Sequence, residues 1–402
     1  RFQTIAVFLV LLIGLLFSLP NVLPESARAR LPGWMPSSTV NLGLDLQGGS
    51  YLLLEVDMPG VVRERMETIR SDLRVQFRRA DIRYEFRNAG QDSVGVNILD
   101  PAKVEDGRKI LRDIAVPPGS LLGIGNAQYD LTDSGPGNFT LKMTPAYARQ
   151  MQGQIVSQSI EVVRRRIDET GTSEPSIQRQ GTGRILVQLP GVDDPDRIKR
   201  LLGRTAKLTF QMVDNSVSIA DAAAGRLPAG SEIVPSENEV NLDGSPVRYV
   251  LKSRAVITGE MLVDAHPTTD GRTGQPVVSM RFDPTGARRF GETTSQNVGA
   301  RFAIVLDGKV ISAPVIQEPI LGGTGQISGN FSIASANELA VLLRAGALPA
   351  PLVVLEERTV GPGLGADSVR AGAIASVIGF VGMVIYMFAT RSEEHTSELQ
   401  SR

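Results

Sequence analysis

The sequence holds no cysteine and only two histidines among its 402 residues. The first absence removes disulfides, thiolate metal sites and cysteine nucleophiles, while leaving the redox character of the compartment open. The second leaves His266 and His395 to serve any imidazole chemistry, too little for an ordinary multi-histidine metal site. A charge excess is missing as well. The 42 Lys and Arg stand against 43 Asp and Glu, so no bulk field would steer the chain towards nucleic acid or acidic substrates. Hydrophobic residues make up 42%, and the length suits two or three domains with separate cores.

Two long apolar runs stand apart from this average. Residues 5–19 contain almost nothing but Val, Leu, Ile, Phe, Ala and Gly, and with its flanks the run 2–23 approaches the roughly 20 residues that a spanning helix needs. Pro20, Asn21 and Pro24 lead on to Arg28 and Arg30 without a small-x-small cleavage site, which favours a membrane anchor over a cleaved signal peptide. The second predicted span is 370–390, uncharged from Ala371 to its end and rich in Ala, Gly, Ile, Val, Phe and Met. Two spans place both ends on one side of a membrane and the long segment between them on the other. Arg1 competes with Arg28 and Arg30, so the flanking charges do not fix which side is which. Residues 391–402 change abruptly to a polar string that resembles a translated sequencing adapter; they are set apart from the fold, and His395 with them.

Between the spans the pattern is that of alternating strands and helices. Strands are predicted at 40–46 and 51–56, interrupted by Gly48 and Gly49, then a helix with Val62, Met66, Ile69, Leu73 and Phe77 on one face. Strands at 82–86 and 94–99 follow, and Asp100-Pro101 opens another helix. The same order returns with a strand at 139–143, a helix capped by Thr144, a hairpin at 176–180 and 185–189, a helix opened by Asp194-Pro195, and a strand at 206–213. Two tandem stretches of βαββαβ order predict a ferredoxin-like split fold, as two such units or as one pseudo-duplicated base. Residues 215–245 read as loops leading into a further α+β domain. That domain has strands at 248–251, 277–283, 301–306 and 310–316, with Asp307-Gly308 as a hairpin turn and Ser335 with Glu338 as a capping box.

Catalytic constellations appear only as near misses. The string GLDLQGGS at 43–50 has the glycine spacing of a phosphate loop, but Gly49 stands where the lysine belongs. Gly361, Gly363 and Gly365 precede the second span rather than a dinucleotide-binding helix, which suits a hinge or a helix-entry turn. His266 stands before Pro267 in a segment read as a surface loop, without a partner histidine. Asp45, Glu55 and Asp57 cluster near the first span. For Asp45, a turn carboxylate bonding local amides and a coupling residue at the membrane junction are both open.

Longer strings carry a resemblance. NLGLDLQGGSY at 41–51, SIEVVRRRIDETGTSEPSIQRQG at 159–181 and ILVQLPGV at 185–192 are similar to the SecD family of the bacterial Sec protein translocase. So are AIVLDGKVISAPVIQEPILGGTGQISGNF at 303–331 and LRAGALPAPLVVLEERTVGPGLGADSV at 343–369, in the family's order. The resemblance implies a membrane-anchored α+β fold of ferredoxin-like βαββαβ repeats with an inserted α+β head, flanked by transmembrane helices. Its domains would be a base at 38–214, a head at 215–332 and a return at 333–366, between spans at 2–23 and 370–390. It further implies a multi-pass protein of the bacterial inner membrane with its large domain in the periplasm. The implied role is that of a translocase accessory with no catalytic site or cofactor, which uses the proton motive force to complete export of unfolded preproteins. Implied partners are SecF, the SecYEG channel and YajC. The family's proton pathway lies in later helices, and neither span here holds an ionisable residue in its interior, so this stretch alone should be inactive as a motor. A porter of the resistance-nodulation-division type is the alternative. For the translocase reading, Asp45, Gly43, Gly48, Gly49, Gly361, Gly363 and Gly365 are the candidate coupling and hinge residues.

Overall fold

The computed structural model describes residues 48–116, 127–172, 175–192, 194–241, 243–271, 273–360 and 362–400, with six positions among the first 17. The chain divides into two compact units. One comprises Arg1–Ser50, Leu189–Val192 and Thr359–Arg402, and the other Tyr51–Gln188 and Asp193–Arg358.

The first strand, β1 (Gly49–Val56), runs into helix α1 (Met58–Arg79), where the Asp57 carboxylate accepts the Gly60 N–H at 3.0 Å. That bond satisfies one of the four donors a helix start leaves open. Met66, Ile69, Leu73 and Phe77 recur at three- and four-residue spacing on the buried face, and Arg78 and Arg79 fill the last turn, where a cation suits the helix dipole. Strands β2 (Tyr84–Arg87) and β3 (Ser93–Ile98), helix α2 (Val104–Ala115) and strands β4 (Tyr129–Asp133) and β5 (Asn138–Met143) follow. They form an antiparallel sheet in the order β2-β3-β5-β4, with α1 against β3 and α2 against β4 and β5. Gly137 is fixed there twice over: its φ is +78°, and a Cβ would lie 2.6 Å from the Ile98 carbonyl oxygen.

Helix α3 (Pro145–Asp168) starts at Thr144, whose hydroxyl accepts the Tyr147 N–H at 3.2 Å. Strands β6 (Ser176–Gln180) and β7 (Arg184–Pro190) pair as a hairpin, and Asp194 caps helix α4 (Pro195–Gly203). A long insert follows. It contains β8 (Leu208–Met212), a short helix α5 (Ile219–Ala223), β9 (Ser231–Val240), β10 (Pro246–Lys252), β11 (Ile257–Thr258), β12 (Leu262–Thr269) and β13 (Pro276–Phe282). Helix α6 (Pro284–Gln296), strands β14 (Phe302–Leu306), β15 (Lys309–Ser312) and β16 (Thr324–Ile327), and helix α7 (Ile333–Ala345) complete it.

The insert holds a six-stranded sheet, β10-β9-β15-β14-β8-β11, and a three-stranded one, β12-β13-β16. Its core is built on the rings of Phe210, Phe282, Phe290 and Phe302 and on Leu339, Ala340 and Leu343 of α7. Just after β8, Asp214 accepts hydrogen bonds from the Ser216 N–H at 3.0 Å and the Ser231 hydroxyl at 2.6 Å. Bonds from the Ser216 and Ser231 hydroxyls and the Ser216 amide hold its pKa down at about 2, against an ordinary 3.8. The folded carboxyl thus binds its proton less readily than the unfolded one, so these bonds stabilise the fold fully above about pH 4 and are lost as pH falls through about 2. An NMR titration of the Asp214 carboxyl should find its midpoint near the lower value, and Ser231→Ala should raise it.

The chain leaves the insert through β17 (Leu352–Val360) and enters helix α8 (Pro362–Gln400). The last sheet has the order β17-β1-β7-β6. Hydrogen bonds from the Val56 N–H to the Gly183 carbonyl and from the Gly191 N–H to the Gly48 carbonyl, both 3.0 Å, make β7 antiparallel to β1. The Asp57 N–H to Pro351 carbonyl bond makes β17 antiparallel to β1 as well. The sheet is therefore assembled from distant parts of the chain along the path β1, α3, β6, β7, α4, β17. Within α8, Asp367–Met387 is 21 residues long and apolar enough to cross a membrane by length and composition.

Several expectations need correction. The tandem units do not form two contiguous sheets, because β1 pairs with β7 and β17 while β5, the expected first strand of the second unit, joins β3 and β4. Strand β8 pairs with β14 and β11 in the insert rather than closing the second unit. Local patterning marks each strand, but the choice of partner depends on residues far away in sequence. Residues 215–245 are not all loop: β9 is a ten-residue strand, and its polar, exposed outer half hides the usual alternation. The α7 cap is Ser332 with Ser335, each side chain accepting the other's N–H, while Glu338 pairs with Arg200 at 3.6 Å. His266 is in strand β12, opposite Ser279, and not in a loop. The expected strand at 40–46 lies outside the described residues, as does most of the expected span at 2–23; Ile5, Leu9, Ile13 and Phe17 there are helical and exposed.

Candidate coupling site

Because β1 is flanked by two antiparallel strands, its first residues share one end of the sheet with the last residues of β7 and β17. Gly48 (φ +74°) and Gly49 (φ +137°) stand at the start of β1, both buried. A side chain at φ +137° meets its own backbone, so only glycine adopts that conformation without strain. The Gly48 carbonyl accepts the N–H of Gly191, itself at φ +67° in the turn after β7. Ser50 follows, fully buried, with its hydroxyl lacking a hydrogen-bond partner. At the same end β17 hands over to α8 and its apolar stretch. The glycine turn thus sets the geometry of the sheet end from which the candidate membrane helix departs.

A second locus is the neck that joins the insert to the rest of its unit. The chain passes out at 204–206 and returns at 346–348, and the Leu348 N–H bonds the Thr205 carbonyl at 2.7 Å across the two passages. The fully buried Arg166 of α3 points its guanidinium into this neck. Its two terminal nitrogens donate to the carbonyls of Leu201 (2.6 Å), Arg204, Thr205 (3.1 Å) and Gly346 (3.2 Å). Leu201 and Arg204 close α4, so the cation sits where the helix leaves carbonyls open and its dipole is negative. Burial lowers the Arg166 pKa to about 10, partly offset by Asp307, and the group stays cationic at neutral pH. Asp307, in the β14–β15 turn, accepts from the Thr205 hydroxyl and from the N–H groups of Ala206 (3.1 Å) and Lys207 (2.8 Å). Arg166 sits within the string that carried the resemblance, and the sequence assigns it no role. The signal was available, since an arginine on the stripe of Ser159, Val163 and Ile167 is a charge on a buried face and demands partners.

Of the sequence-predicted site residues, Gly48 and Gly49 meet at the sheet end, and Gly363 and Gly365 fall in the first turns of α8. Gly43, Asp45 and Gly361 lie outside the described residues. Asp57 is the α1 cap and Glu55 is exposed. His266 is exposed, with its Nδ1 3.7 Å from the Asp264 carboxylate. Among the described residues no three His, Asp or Glu side chains gather as metal ligands.

Comparison with known proteins bears on both loci. Residues 33–59, which span the glycine turn, match the family described as the SecD/SecF GG motif. Residues 156–215 match the N-terminal part of the P1 domain of protein translocase subunit SecDF, and 231–350 match the SecDF P1 head subdomain. The protein translocase subunit SecD of Rhodobacter capsulatus is 44% identical over 369 residues, covering 91% of this chain and 65% of the relative. That of Acetobacter pasteurianus is 40% identical over 387 residues, covering 96% and 71%. A crystal structure of SecDF in its super-membrane-facing form aligns at 28% identity and a TM-score of 0.48, over 89% of this chain and 36% of that one. The chain thus spans about two thirds of the length of these curated relatives. With identities of this level along nearly its whole length, the chain belongs to the SecD family of protein translocase subunits.

Proposed function

We propose that the chain is part of an accessory subunit of the Sec translocase that uses the proton motive force to complete the export of unfolded preproteins. It would work with SecF, the SecYEG channel and YajC. The inner membrane of a bacterium is its location, held by the apolar runs at 2–23 and 370–390, with the large domain in the periplasm. We read the path β1, α3, β6, β7, α4, β17, with its sheet order β17-β1-β7-β6, as one ferredoxin-like βαββαβ unit carrying two insertions. On that base the second insertion acts as a mobile head. It holds the emerging chain through exposed apolar side chains such as Leu321 (76% exposed) and Ile333 (72%), and through the open edges of its sheets. Asp45 and the glycines at 43, 48, 49, 361, 363 and 365 carry motion between the base and the membrane.

The observation that supports this most is the buried glycine turn at the sheet end from which α8 departs, in a chain 44% identical to a SecD subunit. The test is complementation. In cells depleted of their own SecD, the full-length protein should restore signal-peptide processing of a secreted preprotein, and its Asp45→Asn variant should process it markedly more slowly. No restoration by the unaltered protein would overturn the proposed function, while full activity of Asp45→Asn would remove that residue alone from the coupling path.

A further inference from the structure

The neck has room on both sides. One cleft of about 1030 Å³ separates α1 and α3 from the insert, lined by Glu64, Arg165, Lys207, Glu260 and Arg344 among others. Another of about 530 Å³ separates α4 from the insert, lined by Arg200, Arg204, Glu237, Phe331 and Glu338 among others. Among the described residues four ion pairs span the gap around the neck: Lys207 to Glu64 at 2.5 Å, Arg204 to Glu237 at 2.6 Å, Arg344 to Glu169 at 2.8 Å and Arg200 to Glu338 at 3.6 Å. All involve partly or largely solvent-exposed side chains, whose pairing water and salt weaken. Arg166 differs from them in kind, because it is buried and bonds only main-chain carbonyls of the neck itself.

We propose that Arg166 is the pivot of the insert: its guanidinium clamps the outgoing and returning chain to the end of α4, and the insert turns about that clamp when the peripheral ion pairs open. Acceptors at 201, 204, 205 and 346 all lie at the neck, so a rotation of the bodies beyond it leaves them in place, whereas Lys207–Glu64, Arg344–Glu169 and Arg200–Glu338 join points off the axis and must break. A guanidinium suits the task because its planar fork offers four terminal N–H groups in fixed directions, and all four are used here. An ammonium has three N–H groups and no fixed plane, so it meets at most three of these four carbonyls. This assignment rests on the reading of the insert as a mobile head.

Spin labels on cysteines introduced at the exposed Lys109 of α2 and Thr269 of β12 test it, since the chain has no cysteine of its own. Pulsed dipolar spectroscopy of the chain in lipid nanodiscs reads the distance between them. In Glu64→Gln/Arg344→Gln protein the distance should shift while each peak stays as narrow as in the unaltered protein. In Arg166→Lys protein the peaks should broaden roughly twofold, because the neck gains freedom that no off-axis pair restrains. If Arg166→Lys does not fold by circular dichroism, Gly346→Ala takes its place. It strains the returning passage at φ +87°, where a Cβ meets no neighbour, and should broaden the peaks in the same way. Unchanged widths beside a shifted Glu64→Gln/Arg344→Gln distance would overturn the pivot alone. A single unmoved distance in every variant would overturn both the pivot and the mobile head.

Discussion

Phe210→Ala should destabilise the insert by about 3–5 kcal/mol, the usual cost of deleting a buried aromatic ring together with the cavity it leaves. Phe210 is 1% exposed on β8, and its ring centroid lies 5.6 Å from that of Phe282, 6.3 Å from Phe290 and 5.8 Å from Phe302. These rings come from both sheets of the insert and from α6, so the void would open where three elements meet and none can collapse alone. Against a typical domain stability of about 5–15 kcal/mol, the loss would leave the insert close to unfolding. Urea unfolding followed by circular dichroism measures it as a lowered midpoint. A loss below about 1 kcal/mol would mean that the rings do not interlock as described.

The second large effect is expected at Gly49, and a matched control separates strain from function. An alanine at φ +137° costs about 1–3 kcal/mol of backbone strain. Gly135, in the turn between β4 and β5, has φ +131° with nothing within 4 Å of a Cβ, so Gly135→Ala carries similar strain at a site remote in sequence from the glycine turn. Both variants should lower thermal stability to a similar degree. Export by the full-length protein, read as the rate of preprotein processing, should fall sharply for Gly49→Ala and stay near normal for Gly135→Ala. Equal export defects would make Gly49 a stability residue only.

The elements and the site were legible in the sequence to different depths. The faces of α1 and α3, the Asp-Pro and Thr-Pro helix starts and the Asp307-Gly308 turn follow from local rules, and each is present. Pairing was not legible, because β1 finds β7 and β17 across two insertions, and nothing in the local alternation of Leu52, Leu54 and Val56 specifies those partners. The glycine turn was visible as a motif, though its φ angles and its bond to Gly191 needed the strand order. Asp307 was read as a turn former only; its second task, holding the N–H groups of Ala206 and Lys207, joins residues about a hundred positions apart. Arg166 was masked by its neighbours, since Arg164 and Arg165 of the same run face solvent and make the run look like a charged surface.

The proposed role requires direct contact between the insert and a translocating chain. A photo-crosslinking amino acid placed at Leu321 of the full-length protein, with a control probe at Lys109, can be activated while a preprotein is arrested in the Sec channel. The expected result is a crosslink from the Leu321 probe to the arrested chain and none from Lys109. An arrested intermediate that crosslinks from Lys109 alone, or from neither position, would contradict a chain-holding role for the insert.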